Sequence, residues 1–114
     1  MQLFFQFRVV AKNVSNKRRT CEKRIILLEA ASNRDAYEKG EKRGINSEYS
    51  YKNDDGNNVY FEFIGIMDMI ELGGECDDDE VWYDIRDYIQ PLERSSILLP
   101  EKNELLRRVS SKGL

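Results

Sequence analysis

From Leu3 to Lys12 the chain alternates, with Leu3, Phe5, Phe7, Val9 and Ala11 on one side and Phe4, Gln6, Arg8, Val10 and Lys12 on the other. Successive side chains of an extended strand point to opposite faces, so this period of two reads as a half-buried antiparallel strand. A strand needs partners. The next candidate, Cys21 to Ala31, contains the unbroken run Ile25-Ile26-Leu27-Leu28, the pattern of a central strand covered on both faces. The polar stretch Asn13 to Thr20 joins the two into a long hairpin whose tip is basic at Lys17, Arg18 and Arg19.

Ser32-Asn33-Arg34-Asp35 has the form of a capping box, and Gly44 supplies a left-handed helix end, which predicts a helix between them. Ala36, Tyr37 and Gly40 form its apolar face, and the two small residues let it lie close on the sheet. Ser47 to Lys52 alternates Tyr49 and Tyr51, and Asn53-Asp54-Asp55-Gly56-Asn57 then predicts a hairpin turn of type I′. The following run to Leu72 puts Val59, Phe61, Phe63, Met67 and Met69 on one side and Ile64, Ile66 and Ile70 on the other, with Gly65 at a bulge and Gly73-Gly74 ending the strand. Val81, Trp82, Ile85, Tyr88 and Ile89 fit helical spacing, while Val81, Tyr83, Ile85 and Ile89 fit period two, so both forms stay open and strand propensity favours the second. Pro91 stops this element. Pro100 starts a terminal helix with a stripe of Leu105, Leu106 and Val109, and Ser110 to Leu114 is expected to fray.

The expectation is a single α+β domain over residues 1–114. Its core is a mainly antiparallel sheet of about five strands, with one helix packed on it after the second strand and a short C-terminal helix.

Histidine is absent, which removes the commonest general base, the commonest zinc ligand and the usual catalytic triad. Cys21 and Cys76 lack C-x-x-C spacing; Cys21 reads as a buried thiol, and Glu75 and Asp77 disfavour a thiolate at Cys76. The apolar N-terminus has no basic n-region and no cleavage site, and no run reaches the length of a membrane span, so a cytoplasmic protein without a membrane partner is expected. The net charge of -3 hides a polarity. Residues 1–56 carry 12 basic and 8 acidic side chains, a balance of +4, whereas residues 57–114 carry 6 and 13, a balance of -7.

Three clusters are candidates for chemistry. The acidic one comprises Glu75, Asp77, Asp78, Asp79, Glu80, Asp84 and Asp87, joined by Trp82 and Tyr83. It lacks the spacing of a calcium loop, and consecutive carboxylates on an extended segment diverge, so no metal or other cofactor is expected. Aromatic anchors ringed by charge instead suit a protein-binding surface. The basic cluster, Lys12, Lys17, Arg18, Arg19, Lys23 and Arg24, could touch phosphates, but the chain is acidic and carries no nucleic-acid-binding signature. Glu62 and Asp68 are the nearest approach to an acid–base pair. No phosphate loop, dinucleotide fingerprint or nucleophile elbow accompanies them, so no catalytic residues are assigned and an enzyme is not expected.

The exit Leu28-Glu29-Ala30-Ala31 into the helix Asp35-Ala36-Tyr37-Glu38-Lys39, then Tyr60-Phe61-Glu62-Phe63-Ile64-Gly65-Ile66 and Glu80-Val81-Trp82-Tyr83-Asp84-Ile85-Arg86, resembles a small bacterial family catalogued as domain of unknown function 4288. The resemblance covers roughly residues 7–88 and implies a compact bacterial α+β domain with a strand over Glu80 to Arg86. In kind alone, a short, acidic, histidine-free chain resembles the immunity partners of contact-dependent inhibition toxins. The expected partner is therefore a toxin domain, a nuclease in the first instance, whose basic cleft the acidic and aromatic stretch would cover. The alternative is a structural or regulatory homodimer, paired through Leu3 to Lys12 or Val59 to Leu72. Nucleic acid is the weaker third choice.

Overall fold

The computed structural model describes residues 1–11, 16–70 and 79–112, with backbone alone for 79–85, 87, 89 and 108–112. Among the described residues five strands form one antiparallel sheet: β1 (Gln2–Val10), β2 (Arg18–Leu27), β3 (Tyr49–Lys52), β4 (Asn58–Asp68) and β5 (Asp79–Ile89). Their spatial order is β3-β4-β1-β2-β5. Helix α1 (Asn33–Asn46) follows β2, and α2 (Ser95–Leu98) and α3 (Lys102–Lys112) follow β5. The α+β class, the helix packed on the sheet after β2 and the C-terminal helix agree with the sequence reading, and the segment from Asp79 to Ile89 is a strand.

The strand at the centre is β1, not β2. Leu3, Phe4, Phe5 and Gln6 are all fully buried, so both faces of β1 are covered and the half-buried expectation fails here. Leu3 and Phe5 join Ile26, Phe61, Ile66, Met69 and Leu105 in the core beneath α1 and α3. Rings dominate it: Phe5 stacks on Phe61 with centroids 4.7 Å apart, and Phe63 lies 5.5 Å from Phe5. The pairing of β1 with β4 slips twice, since Phe5 faces Phe63 but Phe4 faces Gly65, and Leu3 faces Ile66 but Gln2 faces Asp68. The first slip inserts an extra residue beside Gly65, which reverses the face of the residues beyond it. Ile66 therefore lands among Leu3, Phe5 and Phe61, not opposite them as strict alternation predicts. The strand ends at Asp68, short of the glycine pair expected to close it, and Gly73-Gly74 lies outside the described residues.

Ser32 caps α1 as expected, and the reciprocal bond of the capping box goes to the residue before the cap. Ser32 Oγ accepts from the Asp35 N–H at 3.0 Å, and the Asp35 carboxylate accepts from the Ala31 N–H at 2.9 Å. That second bond holds the Asp35 carboxyl below its usual range. The helix runs past Gly44 to Asn46, so Gly44 is not its left-handed terminus. It is buried, and a Cβ there would collide with the Phe63 ring, just as one at Gly40 would collide with Met1. The two glycines are the places where helix backbone meets sheet side chains. The β3–β4 turn also departs from type I′: Gly56 is left-handed at φ 78° and donates to the Asn53 carbonyl at 3.0 Å, while Asp55 keeps a negative φ. Asn53 Oδ1 accepts from the N–H groups of Asp55 and Asn57, each at 3.0 Å, and fixes this three-residue loop.

After β5 the chain becomes a strap. Gln90 takes a left-handed φ of 45° and donates to the Lys17 carbonyl, Pro91 is buried, and the chain crosses the face of the sheet opposite α1. The Leu99 side chain lies where Gly65 has no Cβ, before α3 packs beside α1 with Leu105 in the core. Helix α3 runs to Lys112, and residues 113–114 of the terminal stretch lie outside the described residues. Among the described residues no helix is long and apolar enough to cross a membrane.

Candidate functional site

Strand β5 forms one edge of the sheet, with β2 beside it. Of the residues expected to bind a partner, Asp79, Glu80, Trp82, Tyr83, Asp84 and Asp87 lie on this strand, whereas Glu75, Asp77 and Asp78 fall outside the described residues, as does Cys76. The register sets Asp79 opposite Leu27, Glu80 opposite Ile26 and Trp82 opposite Ile25. Further along, Tyr83 faces Arg24, Asp84 faces Lys23 and Asp87 faces Thr20. The acidic strand thus sits against a basic one, and the opposite charge balances of the two halves of the sequence meet at the β2–β5 seam. That placement divides the basic cluster. Lys17 and Arg18 are exposed, Lys23 lies 5.4 Å from the Tyr88 ring, and Arg24 lies over Phe5 at 5.0 Å and pairs with Glu22 at 2.5 Å. Lys12 lies outside the described residues.

Arg19 departs furthest from its expected place. It belongs to β2 rather than to a solvated tip, and it is 8% exposed. Its guanidinium makes a two-pronged pair with Glu93 of the strap at 2.6 and 2.8 Å, donates to Gln6 Oε1 at 3.0 Å and reaches the Asn16 carbonyl at 2.7 Å. Gln6 relays the network. Its Nε2 donates to Glu62 at 2.9 Å, and its Oε1 also accepts the Leu92 N–H at 3.3 Å. Glu62 in turn holds Arg8 at 2.8 and 3.1 Å. Charges alternate along the row Arg8, Glu62, Gln6, Arg19, Glu93, so it is neutral as a whole and its buried members are paired.

These contacts settle what the carboxylates are held as. The Arg8 hydrogen bond keeps the Glu62 carboxyl below its usual range, and the Arg19 hydrogen bond does the same for Glu93. Glu62 is therefore an ionised, committed partner and not the free member of an acid–base pair with Asp68. Asp68 Oδ1 accepts from the Met69 N–H at 2.9 Å. Among the described residues no cluster of three or more Asp, Glu or Cys side chains could hold a metal. Cys21 is a buried free thiol, as expected. Sequence reasoning missed the network because Gln6 and Glu93 are 87 positions apart and carry no joint signal. The one available hint was Gln6 itself, a polar residue between two phenylalanines.

The sequence pattern of Domain of unknown function (DUF4288) matches residues 2–82. The chain belongs to this family. The match runs from β1 into the start of β5, so the strap and α3 lie beyond the span that the family pattern covers. No curated protein and no solved structure matches the chain.

Proposed function

We propose that this member of the DUF4288 family is a small bacterial cytoplasmic binding protein that acts by occupying a surface, and specifically an immunity protein for a toxin with a basic, substrate-binding cleft. The observation that carries the reading is the position of β5 at the edge of the sheet, bearing Asp79, Glu80, Trp82, Tyr83, Asp84 and Asp87. An edge strand presents unpaired main-chain groups along with its side chains, so a partner can meet it with both. In a nuclease cleft the carboxylates take the place of phosphates, and Trp82 and Tyr83 supply anchors. Opposite charge raises the association rate most at low salt. The protein performs no catalysis in this reading and needs no cofactor.

The test is to co-purify the tagged protein with the product of the adjacent gene and to ask whether it protects cells expressing that product. A stable complex with protection is the expected result; neither would end the proposal. In the complex, replacing Asp77, Asp78 and Asp79 together by Asn should slow association roughly tenfold at low salt and flatten its salt dependence. An unchanged association rate would remove the acidic stretch from the interface.

A further inference from the structure

The opposite edge of the sheet carries a pattern that matches itself. Strand β3 pairs with β4 on one side, and all of its residues are exposed, with Tyr49 at 52% and Tyr51 at 47%. Tyr49 stacks on Phe61 at 4.9 Å and on Tyr51 at 6.1 Å, so both rings are held on the α1 side of the sheet with an open outer flank. The main chain is set for pairing as well. The Asn53 N–H donates to the Asn57 carbonyl, and hydrogen-bonded pairs alternate along an antiparallel ladder, so Tyr51 with Val59 and Tyr49 with Phe61 are the next bonded pairs. The N–H and C=O groups of Ser50 and Lys52 therefore point away from β4.

We infer that β3 is a self-pairing edge, and that a second copy of this chain docks on it antiparallel about a two-fold axis at Ser50. In that register Ser50 faces Ser50 of the second copy and exchanges two hydrogen bonds with it. Lys52 faces Glu48, Tyr49 faces Tyr51, and the same pairs repeat on the other side of the axis. The Lys52 N–H of each copy reaches the Glu48 carbonyl of the other, which adds two more bonds. The Glu48 N–H is already given to the Ile45 carbonyl and takes no part. A slip by two residues in either direction loses the two Glu–Lys pairs, so charge specifies the register. The tyrosines form one cluster of four on the α1 side, in the closer, non-hydrogen-bonded pairs where side chains interact most. The product is a continuous ten-stranded sheet with a β5 edge at each end, so self-pairing leaves the proposed partner surface free. It also satisfies an aromatic edge that would otherwise invite uncontrolled association.

The experiment is sedimentation equilibrium or light scattering on the full chain over a range of concentrations. The expected result is a mass that rises from monomer to dimer. Lys52→Glu sets like charges against Glu48 twice, and Glu48→Lys does the converse, so each variant alone should dimerise roughly tenfold more weakly. An equimolar mixture restores both pairs and should recover the wild-type mass. Glu48 also accepts the Phe63 N–H through its side chain at 2.9 Å, and recovery in the mixture shows that its loss has not unfolded the chain. Ser50→Pro removes an outward N–H while leaving the charges, and it should abolish the dimer with the circular dichroism spectrum unchanged. A wild-type chain that stays monomeric to roughly 1 mM, the weak end of specific association, would overturn the inference. So would a mixture no heavier than its components, or a Ser50→Pro chain that still dimerises.

Discussion

Phe5 and Gln6 are neighbours on β1 and both are fully buried, one among rings beneath α1 and the other among charges beneath the strap. The ring face gains stability from area removed from water and from close packing, neither of which depends on a particular partner atom. The charged face is different in kind. Each member of the row from Arg8 to Glu93 is costly to bury and is offset only by the specific neighbour that meets it. The first face makes the sheet stable. The second fixes where the strap crosses it, because Arg19, Gln6 and Leu92 meet in one arrangement. The strap extends outside the family span, so this anchoring is a property of the whole chain rather than of the matched core.

The largest loss of stability is expected on the ring side. Phe61→Ala removes a 1%-exposed ring that stacks on Phe5 and Tyr49, and should cost about 3–5 kcal/mol in denaturant unfolding. On the charged side the cost depends on which partner is taken away. Glu93→Ala leaves the buried Arg19 guanidinium without its carboxylate and should cost about 2 kcal/mol. Adding Arg19→Met to that variant removes the stranded charge and should return part of the loss, since an apolar side chain of similar length suits the site. If the double variant is less stable than Glu93→Ala alone, the guanidinium is held mainly by Gln6 and the Asn16 carbonyl. The strap would then not depend on the ion pair.

Strand and helix identities were legible where one face alternates or a cap is spelled out, as at Leu3 to Val9 and at Ser32 to Asp35. What escaped was whatever a second segment decides. Periodicity says that Leu3 and Phe5 share a face, but it says nothing of the cover that the strap lays over Phe4 and Gln6. The extra residue beside Gly65 moved Ile66 into the core, and a bulge leaves its position but not its consequence in the sequence. Gly44 suits a helix end by composition, and the Phe63 ring makes it a contact instead. Edge and centre depend on strand order, which pairs β1 with β4 across a long separation. For that reason the edges expected at Leu3 to Lys12 and Val59 to Leu72 are interior, and the true edges are β3 and β5. Periodicity left the segment from Val81 to Ile89 open between helix and strand, and the strand that propensity favours is the one that forms, beginning at Asp79. Arg19 reads as solvent-exposed in the sequence because its carboxylate lies far along the chain.

The smallest effect is the one that separates the faces by chemistry rather than by size. Glu62 and Glu93 both have carboxyls held below the ordinary value of 4.5, by Arg8 and Arg19 respectively. A carboxyl whose folded value is depressed contributes stability that is present above its unfolded value and is lost as the pH falls through the folded one. The thermal midpoint should therefore be level from neutral pH down to about 5.5 and fall below about 4.5. Asp35 is depressed by the Ala31 N–H and adds to this fall from the helix end, so the whole slope does not belong to the network. Phe61→Ala carries no titrating group and should lower the curve without changing its shape. Glu62→Gln together with Glu93→Gln should lower it at neutral pH and flatten it in acid, because the variant has less left to lose. If the acid slope of that double variant equals that of the wild type, the Glu62 and Glu93 carboxylates do not hold the chain at low pH, and the two faces differ in composition without differing in how they respond to protons.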